Sequence, residues 1–138
     1  MTGLRDVTEF DVYKLADDLR VRLRVVIDRP EFRRVGWLHE QLEKAMEGPC
    51  AHLAEGFARY HPLEFARFVR IAKGSLSETI THLGTAHARR LITAEEHVDY
   101  VRLAKRAVGA STALICYLER ARAPGLDRPK TRRRRAVD

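Results

Sequence analysis

The sequence has few of the features that mark secreted, membrane-spanning or disulfide-stabilised proteins. Its 138 residues include two cysteines, five prolines and only 7% aromatic side chains. The longest stretch without a charged residue, Ala107 to Leu118, has 12 residues, whereas a membrane-spanning helix needs about 20 apolar residues. The first residues, MTGLRDVTEFD, contain no apolar segment of the kind that signal peptides use. These absences predict a cytoplasmic protein with no membrane partner.

The two cysteines, Cys50 and Cys116, lie far apart and form no C-x-x-C motif. A chain of this mass buries about two thirds of its unfolded surface, so it needs no disulfide or metal to hold a core. We therefore expect two buried, reduced thiols, each in a helix.

Apolar residues recur with a helical period in four segments. The first carries them at spacings of 4, 3, 4 and 3, at Val12, Ala16, Leu19, Leu23 and Val26. Thr8-x-x-Asp11 resembles a capping box at its start, and Asp28-Arg29-Pro30 should end it. The second helix should start between Glu31 and Val35, with a kink near Gly48 caused by Pro49.

The third and fourth segments are the longest. Pro62 suits the first position of the third helix, whose apolar residues cover more than one face, so this helix should have more than one packing partner. Thr93-Ala-Glu-Glu96 is a capping box that starts the fourth helix, and Pro124-Gly125 should end it after about Arg122.

Four long helices with short connections predict an all-α fold, an up-down-up-down antiparallel four-helix bundle over residues 8–122. Residues 1–7 are predicted to be a flexible N-terminus. Residues 123–138 lack core-forming side chains and are predicted to be a disordered, basic C-terminal tail.

The motifs of catalysis and cofactor binding are missing from this pattern, so we expect no enzymatic activity, no catalytic residues and no cofactor. There is no G-x-S-x-G elbow and no phosphate-binding glycine-rich loop. The Glu-x-x-His pairs of di-metal bundles are also missing. His52 with Glu55, and Glu78 with His82, share helix faces, but such groups are more often ordinary polar residues, and we expect no metal.

Two clusters of small residues interrupt the predicted helices. One ends at Glu55 and Gly56, and the other contains Gly74 and Ser75. Glycine inside a helix costs about 1 kcal/mol relative to alanine, so Gly74 suggests the close approach of another backbone. In that interpretation Ser75 donates a hydrogen bond to Glu55. The alternative, that Gly74 is merely tolerated and Glu55 is solvated, is equally compatible with the sequence.

These clusters carry a resemblance to a known family. The run Leu53-Ala-Glu-Gly56, and then Ile71-Ala-Lys-Gly-Ser-Leu76 with Glu78, resembles the signature "IAEG" followed by "iAxGSlxE" of the 23S rRNA intervening-sequence proteins, also called four-helix-bundle proteins. The likeness extends over residues 8 to 122. His52 and Pro49 depart from the usual pattern. The family's relatives include the accessory variability proteins of diversity-generating retroelements.

The resemblance implies an up-down four-helix bundle, a homopentamer and no enzymatic activity. The retroelement relatives bind nucleic acid and associate with a reverse transcriptase, which makes both of them expected partners here. The function of the intervening-sequence members themselves is unclear, so the family settles fold better than function.

Charge favours a sequence-nonspecific interaction with RNA or DNA. The chain has 26 Lys and Arg against 19 Asp and Glu, a net charge of +7, and arginine binds phosphate in a bidentate manner. The residues expected to bind nucleic acid are two arginine pairs and the basic residues of the tail: Arg33, Arg34, Arg89, Arg90, Arg128, Lys130, Arg132, Arg133, Arg134 and Arg135. The alternative function is a protein-interaction scaffold with no nucleic-acid role.

Overall fold

A computed structural model of the chain describes residues 6–59 and 61–121. This part is helical and contains no strand. A short 3-10 turn, Val7–Glu9, precedes five α-helices. The helices are α1 (Asp11–Ile27), α2 (Pro30–Arg33), α3 (Gly36–Ala58), α4 (Pro62–Ala88) and α5 (Ala94–Ala121).

The four long helices form a closed ring. Each packs against the next long helix in sequence, and the last packs against the first. Helix α1 contacts α3, α3 contacts α4, α4 contacts α5, and α5 returns to α1. Because the connections are short, consecutive long helices run antiparallel. The predicted up-down four-helix bundle is therefore confirmed.

The start of the chain differs in detail from the prediction. Thr8 and Asp11 do not form a capping box, because the residues between them belong to the 3-10 turn and helix α1 begins only at Asp11. Asp6 caps the 3-10 turn, since its carboxylate accepts a hydrogen bond of 3.1 Å from the Thr8 amide, whereas α1 has no side-chain cap. Val7 is buried against the bundle. The remaining residues of the predicted flexible N-terminus, 1–5, lie outside the described part.

Helices α2 and α3 together replace the single second helix of the prediction. Proline at the first position of α2 starts one extra helical turn, which places Phe32 in the core. Helix α3 then begins at Gly36, just after the predicted window, and continues through Pro49. One continuous helix on both sides of Pro49 agrees with the prediction, and the kink itself stays a prediction.

Helix α4 is apolar on more than one side because it lies between α3 and α5. Phe65, Phe68, Leu76 and Leu83 are all buried within the chain. The apolar residues of α4 are therefore largely buried within the chain, and Ile71 remains as a large exposed apolar side chain in the middle of this helix.

The predicted capping box of α5 is confirmed. The Glu96 amide donates to Thr93 Oγ1 at 3.0 Å, and the Thr93 amide donates to Glu96 Oε1 at 2.9 Å. Arg29, just before α2, donates two further hydrogen bonds to the Glu96 carboxylate, at 3.2 and 2.5 Å. This bond network fastens the start of α5 to the end of α1.

The two cysteines lie in different environments. Cys50 is buried, as predicted, but Cys116 is exposed, so that prediction was wrong. The reason is its position on α5: Ile115 and Leu118 point into the core, whereas Cys116, the residue after Ile115, faces outward. Burial raises the pKa of the Cys50 thiol to about 11, which keeps it protonated and unreactive.

None of the described helices is long and apolar enough to cross a membrane. The predicted disordered tail, residues 123–138, lies outside the described residues.

Candidate nucleic-acid interface

The antiparallel arrangement brings both predicted arginine pairs to one end of the bundle. Arg33 and Arg34 precede the first turn of α3, and Arg89 and Arg90 follow the last turn of α4. Because α3 and α4 are antiparallel neighbours, these termini lie side by side. We call this surface, made of Arg33, Arg34, Trp37, Arg89 and Arg90, the Arg end.

Trp37 gives the Arg end an aromatic side chain that the sequence analysis missed. It lies in the first turn of α3 and is 52% exposed. The guanidinium carbon of Arg89 lies 5.2 Å from the centroid of its ring, within the distance of a cation–π interaction. The signal in the sequence was a tryptophan three residues after an arginine pair, at the start of a helix.

Three of the four arginines at this end are available for an anion. Among the described residues, no carboxylate lies within 4.0 Å of Arg34, Arg89 or Arg90. Arg33 is different, because it forms an ion pair of 3.0 Å with Asp28.

The surrounding segments are not basic as a whole. Residues 28–40 and 87–97 contain five arginines and five carboxylates. Two of those carboxylates, Asp28 and Glu96, are already engaged by Arg33 and Arg29. The Arg end is therefore distinguished by which arginines lack a partner, and not by net charge.

Arg90 holds an unusual backbone conformation. Its φ is 62°, in the left-handed region where glycine is favoured. The Leu91 amide donates to the Ala86 carbonyl at 2.9 Å and the Arg90 amide donates to the His87 carbonyl at 3.0 Å, which is the Schellman arrangement that ends a helix. A glycine would fit this position with less conformational cost than arginine.

The arginines of α1, by contrast, are already neutralised. Arg24 donates to Glu43 at 2.9 Å and to Glu47 at 2.7 Å, both on α3. Arg20 pairs with Asp17 and Glu47, and Arg22 pairs with Asp18. These side chains tie α1 to α3 or to α1 itself, so they are poor candidates for binding phosphate.

The tail residues Arg128, Lys130 and Arg132 to Arg135 lie outside the described part of the chain. The described helix that leads to them, α5, ends at Ala121, at the opposite end of the bundle from the Arg end. The 28 residues of α5 span about 42 Å at 1.5 Å per residue. The two predicted groups of basic residues therefore start from opposite ends.

Gly56 explains the first half of the sequence signature. A Cβ atom placed there would lie 2.5 Å from Phe68 Cβ and 3.0 Å from Phe65 Cδ1. Only glycine lets α3 and α4 approach this closely. Phe10, Phe57 and Phe65 pack edge to face in the same region, with centroid separations of 5.5 to 5.8 Å.

Of the two interpretations left open for Gly74, the close approach of another backbone is excluded within the described chain. A Cβ there would meet no atom within 4 Å of the described chain, so no other backbone approaches it. The contact between Ser75 and Glu55 that belonged to this interpretation is excluded as well, because Glu55 is exposed and accepts a hydrogen bond of 3.2 Å from Arg59, the residue that caps the end of α3. The alternative, a tolerated Gly74 and a solvated Glu55, agrees with the structure. The hydroxyl of Ser75 lies 3.2 Å from where a Cβ atom at Gly48 would be. Glu78 is exposed on α4.

A second basic surface that the sequence analysis did not single out lies on the outward face of α5. Arg102, Lys105, Arg106 and Arg120 are exposed there. Arg102 precedes Lys105 by three residues and Arg106 by four, and Arg120 follows Arg106 by fourteen; these separations place them on one side of a helix, which was the available signal. In the described chain, no three His, Cys, Asp or Glu side chains gather in a way that could hold a metal ion.

Comparison with known proteins identifies the family. A search of curated proteins finds no match. A family model described as 23S rRNA-intervening sequence protein matches residues 8–110. The match includes Gly56, Trp37 and all four arginines of the Arg end, and it stops within α5. Because it covers well over half of the 138 residues, the chain belongs to the 23S rRNA-intervening sequence protein family.

Proposed function

We propose that this protein is a non-enzymatic, cytoplasmic, homo-oligomeric member of its family that binds nucleic acid electrostatically. The observation that carries the proposal is the Arg end, where Arg34, Arg89 and Arg90 have no carboxylate partner among the described residues and Trp37 is exposed beside them. Unpaired arginines bind phosphates without regard to sequence, and an exposed indole supports base stacking.

The charge distribution supports a binding mode that depends on a few positions. The described residues contain eighteen of the 26 basic and seventeen of the 19 acidic side chains, so this part carries only +1. Most of the basic excess is in the tail. Binding should therefore depend on the Arg end and on the tail arginines, and not on a general attraction to the bundle.

Fluorescence-anisotropy titrations with labelled single-stranded DNA, single-stranded RNA and duplex DNA, at several salt concentrations, test the proposal. Arg89→Gln with Arg90→Gln should weaken binding and flatten the log–log salt slope by about 1.4 on single strands and about 1.8 on duplex. Replacing Arg132, Arg133, Arg134 and Arg135 by glutamine should flatten it by about 2.8 and about 3.6.

The matched control removes the same charge elsewhere. Lys44 and Arg67 are exposed, and Arg67 is paired with Glu64 at 3.2 Å. Lys44→Gln with Arg67→Gln should leave affinity within about twofold of the parent, since neither side chain belongs to the Arg end. An equal loss of affinity in the control and in the Arg-end variant would show that binding depends on net charge alone. Absence of binding by the parent protein at low salt would refute the function.

Oligomerisation is the second part of the proposal, and the outward face of α1 supports it. Val21 and Val25, one turn apart, are 53% and 69% exposed. Apolar pairs of this kind on a charged helix are suited to subunit contact. Light scattering should give a homo-oligomer, with a pentamer near 79 kDa from a subunit of 15.8 kDa. Val21→Lys with Val25→Glu should shift it toward the monomer, and a parent that is already monomeric would refute this part.

The same two valines also favour the alternative function, a protein-interaction scaffold. The partner to test is a reverse transcriptase, because the retroelement relatives suggest one. A purified reverse transcriptase that binds the parent but not the valine variant, with no nucleic-acid binding by either, would replace the proposed function with the scaffold.

A further inference from the structure

We propose that the outward face of α5 binds single-stranded nucleic acid, starting from a groove beside the Arg end. This inference rests on the proposed function and specifies its ligand. The groove has a volume of about 540 Å³ and is lined by His97, Val98, Val101, Arg102, Lys105 and Arg106.

The groove combines an apolar floor with a cationic wall. Val98 is half exposed, and Val101, one turn later on α5, is partly buried. Among the described residues, Lys105 and Arg106 have no carboxylate within 4.0 Å, and Arg102 has only the 3.5 Å contact with Asp99, one turn earlier. A ligand that fits must present an apolar surface and a negative charge together.

Acidic residues mark one boundary of this groove. Glu95 and Asp99 line a neighbouring depression with Val98 at the start of α5. His97 lies on the opposite side, and its ring stacks on that of His87 with centroids 4.6 Å apart. This stacking fixes the orientation of the imidazole and joins the groove wall to α4, two residues before Arg89. Anionic groups of the ligand are therefore directed mainly toward Lys105, because Arg106 also borders a depression that contains Asp18 and Asp99.

A nucleic acid with unpaired bases matches this pattern better than a duplex does. In a duplex the flat faces of the bases are stacked inside the helix and only phosphates and groove edges are exposed. A single strand can place a base or sugar against Val98 and Val101 while its phosphates contact Lys105 and Arg106. A purely electrostatic surface would not need the apolar floor.

The rest of the outward face continues the path. Beyond Arg106, the outward positions hold the small residues Gly109 and Ala113, and then the exposed Cys116 and Tyr117 before Arg120. The rise from Arg106 to Arg120 is about 21 Å. Gly109 has no atom within 4 Å of where a Cβ would be. A backbone lying along α5 would thus meet cations at both ends, with small residues after Arg106 and an aromatic side chain, Tyr117, shortly before Arg120.

Continuity with other basic residues favours nucleic acid over an acidic protein segment. His97, at the start of the groove, follows Arg90 by seven residues, and Arg120 adds an exposed cation near the far end of α5. Cations spaced along one helix suit a linear polyanion.

The test compares Lys105→Gln with Arg106→Gln against the control Lys44→Gln with Arg67→Gln. Each pair removes one exposed lysine and one exposed arginine, so charge and residue type are matched. The probes are labelled oligo-dT and oligo-U of about 20 nucleotides, a duplex of about 20 base pairs, and a peptide of alternating glutamate and leucine. Thermal melts of every variant establish that each remains folded.

We expect the α5 pair to weaken single-strand binding about tenfold and to flatten the salt slope by about 1.4, with at most a twofold change on duplex. Val98→Glu, which places an anion on the groove floor, should reproduce this loss, while Val98→Leu should retain affinity. Equal loss on oligo-dT and oligo-U would indicate a site that does not read the 2′-hydroxyl; a larger loss on oligo-U would identify RNA as the preferred strand.

The outcomes that overturn the inference differ from those that overturn the proposed function. If the parent binds single strands and the α5 pair binds like the control, the groove is not the site, although the proposed function stands. Equal losses on duplex and single strands would exclude recognition of unpaired bases. Tighter binding of the peptide, lost in the α5 pair, would assign the groove to an acidic protein. No binding of any nucleic acid by the parent would remove both proposals.

Discussion

The two ends of the bundle use the same pair of residue types, arginine and an aromatic ring, for different purposes. At one end, Arg59 and Arg67 lie 4.9 and 4.7 Å from the centroid of Phe68, which is only 6% exposed. Both arginines also have carboxylate partners, Glu55 and Glu64. At the other end, Arg89 contacts an exposed Trp37 and has no such partner among the described residues.

The difference shows that an arginine near an aromatic ring does not by itself indicate a binding site. What distinguishes the Arg end is an exposed ring together with unpaired guanidinium groups. We call the opposite region, which contains Gly56, Phe10, Phe57, Phe65 and Phe68, the Phe end. Substitutions at the Phe end should therefore lower the free energy of unfolding, whereas substitutions at the Arg end should weaken the binding of nucleic acid.

The largest expected effect is the difference in lost stability between substitutions of Phe68 and of Trp37. Phe68→Ala should lower the free energy of unfolding by about 3 to 5 kcal/mol, because it removes a buried ring from a closely packed site. Trp37→Ala should cost less than about 1 kcal/mol, because half of the ring is already in water. Urea denaturation followed by circular dichroism measures both, and equal losses would remove the distinction between the ends.

The second effect compares two glycines of the sequence signature. Gly56→Ala should destabilise by about 2 kcal/mol, because the new methyl group would lie too close to Phe68 and this cost exceeds the gain in helix propensity. Gly74→Ala should stabilise by up to about 1 kcal/mol, because the site is open and alanine favours helix.

Melting temperatures should therefore move in opposite directions, by about 4 °C for each kcal/mol. A destabilised Gly74→Ala would mean that another backbone, such as that of a second subunit, approaches Gly74 in solution.

The third effect concerns Arg29, an arginine near the Arg end that has a structural role. Its hydrogen bonds to Glu96 are the main reason that the pKa of this carboxyl lies below its ordinary value of 4.5. The stabilisation from a lowered pKa is complete above the ordinary value and is lost as pH falls through the lowered one.

Glu96→Gln should therefore cost about 1 kcal/mol at pH 7, through loss of the charged hydrogen bonds and part of the capping box. The difference from the parent should shrink when urea denaturation is repeated at pH 3. A difference that stays constant between these pH values would show that the ionised carboxylate is not what holds the start of α5.

The smallest effect on stability should come from Arg90. Arg90→Gly should stabilise by at most about 1 kcal/mol, because glycine adopts positive φ without the steric cost that arginine has. The same change should weaken nucleic-acid binding and flatten the salt slope by about 0.7 on single strands. Arg90→Asn is the comparison, because asparagine tolerates this conformation but removes the charge. Unchanged binding in both variants would assign Arg90 no part in the interface.

Periodicity and capping were sufficient to predict the long helices. The Thr93–Glu96 box and the proline at the start of α4 mark helix starts through local chemistry, which a sequence carries in full. The meeting of the two arginine pairs at one end of the bundle also follows from the antiparallel order of the helices. Short connections determine which helix ends are neighbours, so this part of the site followed from topology alone.

The remaining differences from the prediction depended on which way a side chain faces. Gly56 and Gly74 lie in similar clusters of small residues, but only Gly56 faces a neighbouring helix. The pairing of Arg24 with Glu43 and Glu47 could not be predicted, because it requires the relative rotation of α1 and α3, which spacing within one helix does not give. Cys116 was assigned to the core although it is only one position from an inward-facing residue.

The ring order of the helices also determines how the molecule should come apart. Helices α3, α4 and α5 each pack on the helix next to them in sequence, whereas α1 also closes the ring by packing against α5, which is distant in sequence. The hydrogen bond from Arg29, just after α1, to Glu96 on α5 joins residues 67 positions apart. Contacts between distant segments carry the larger loop-closure cost in folding. With 17 residues against the 27 of α4, α1 is also the shortest of the four long helices. We therefore expect α1 to dock last and to open first, so its amide hydrogens should exchange with solvent before those of α4.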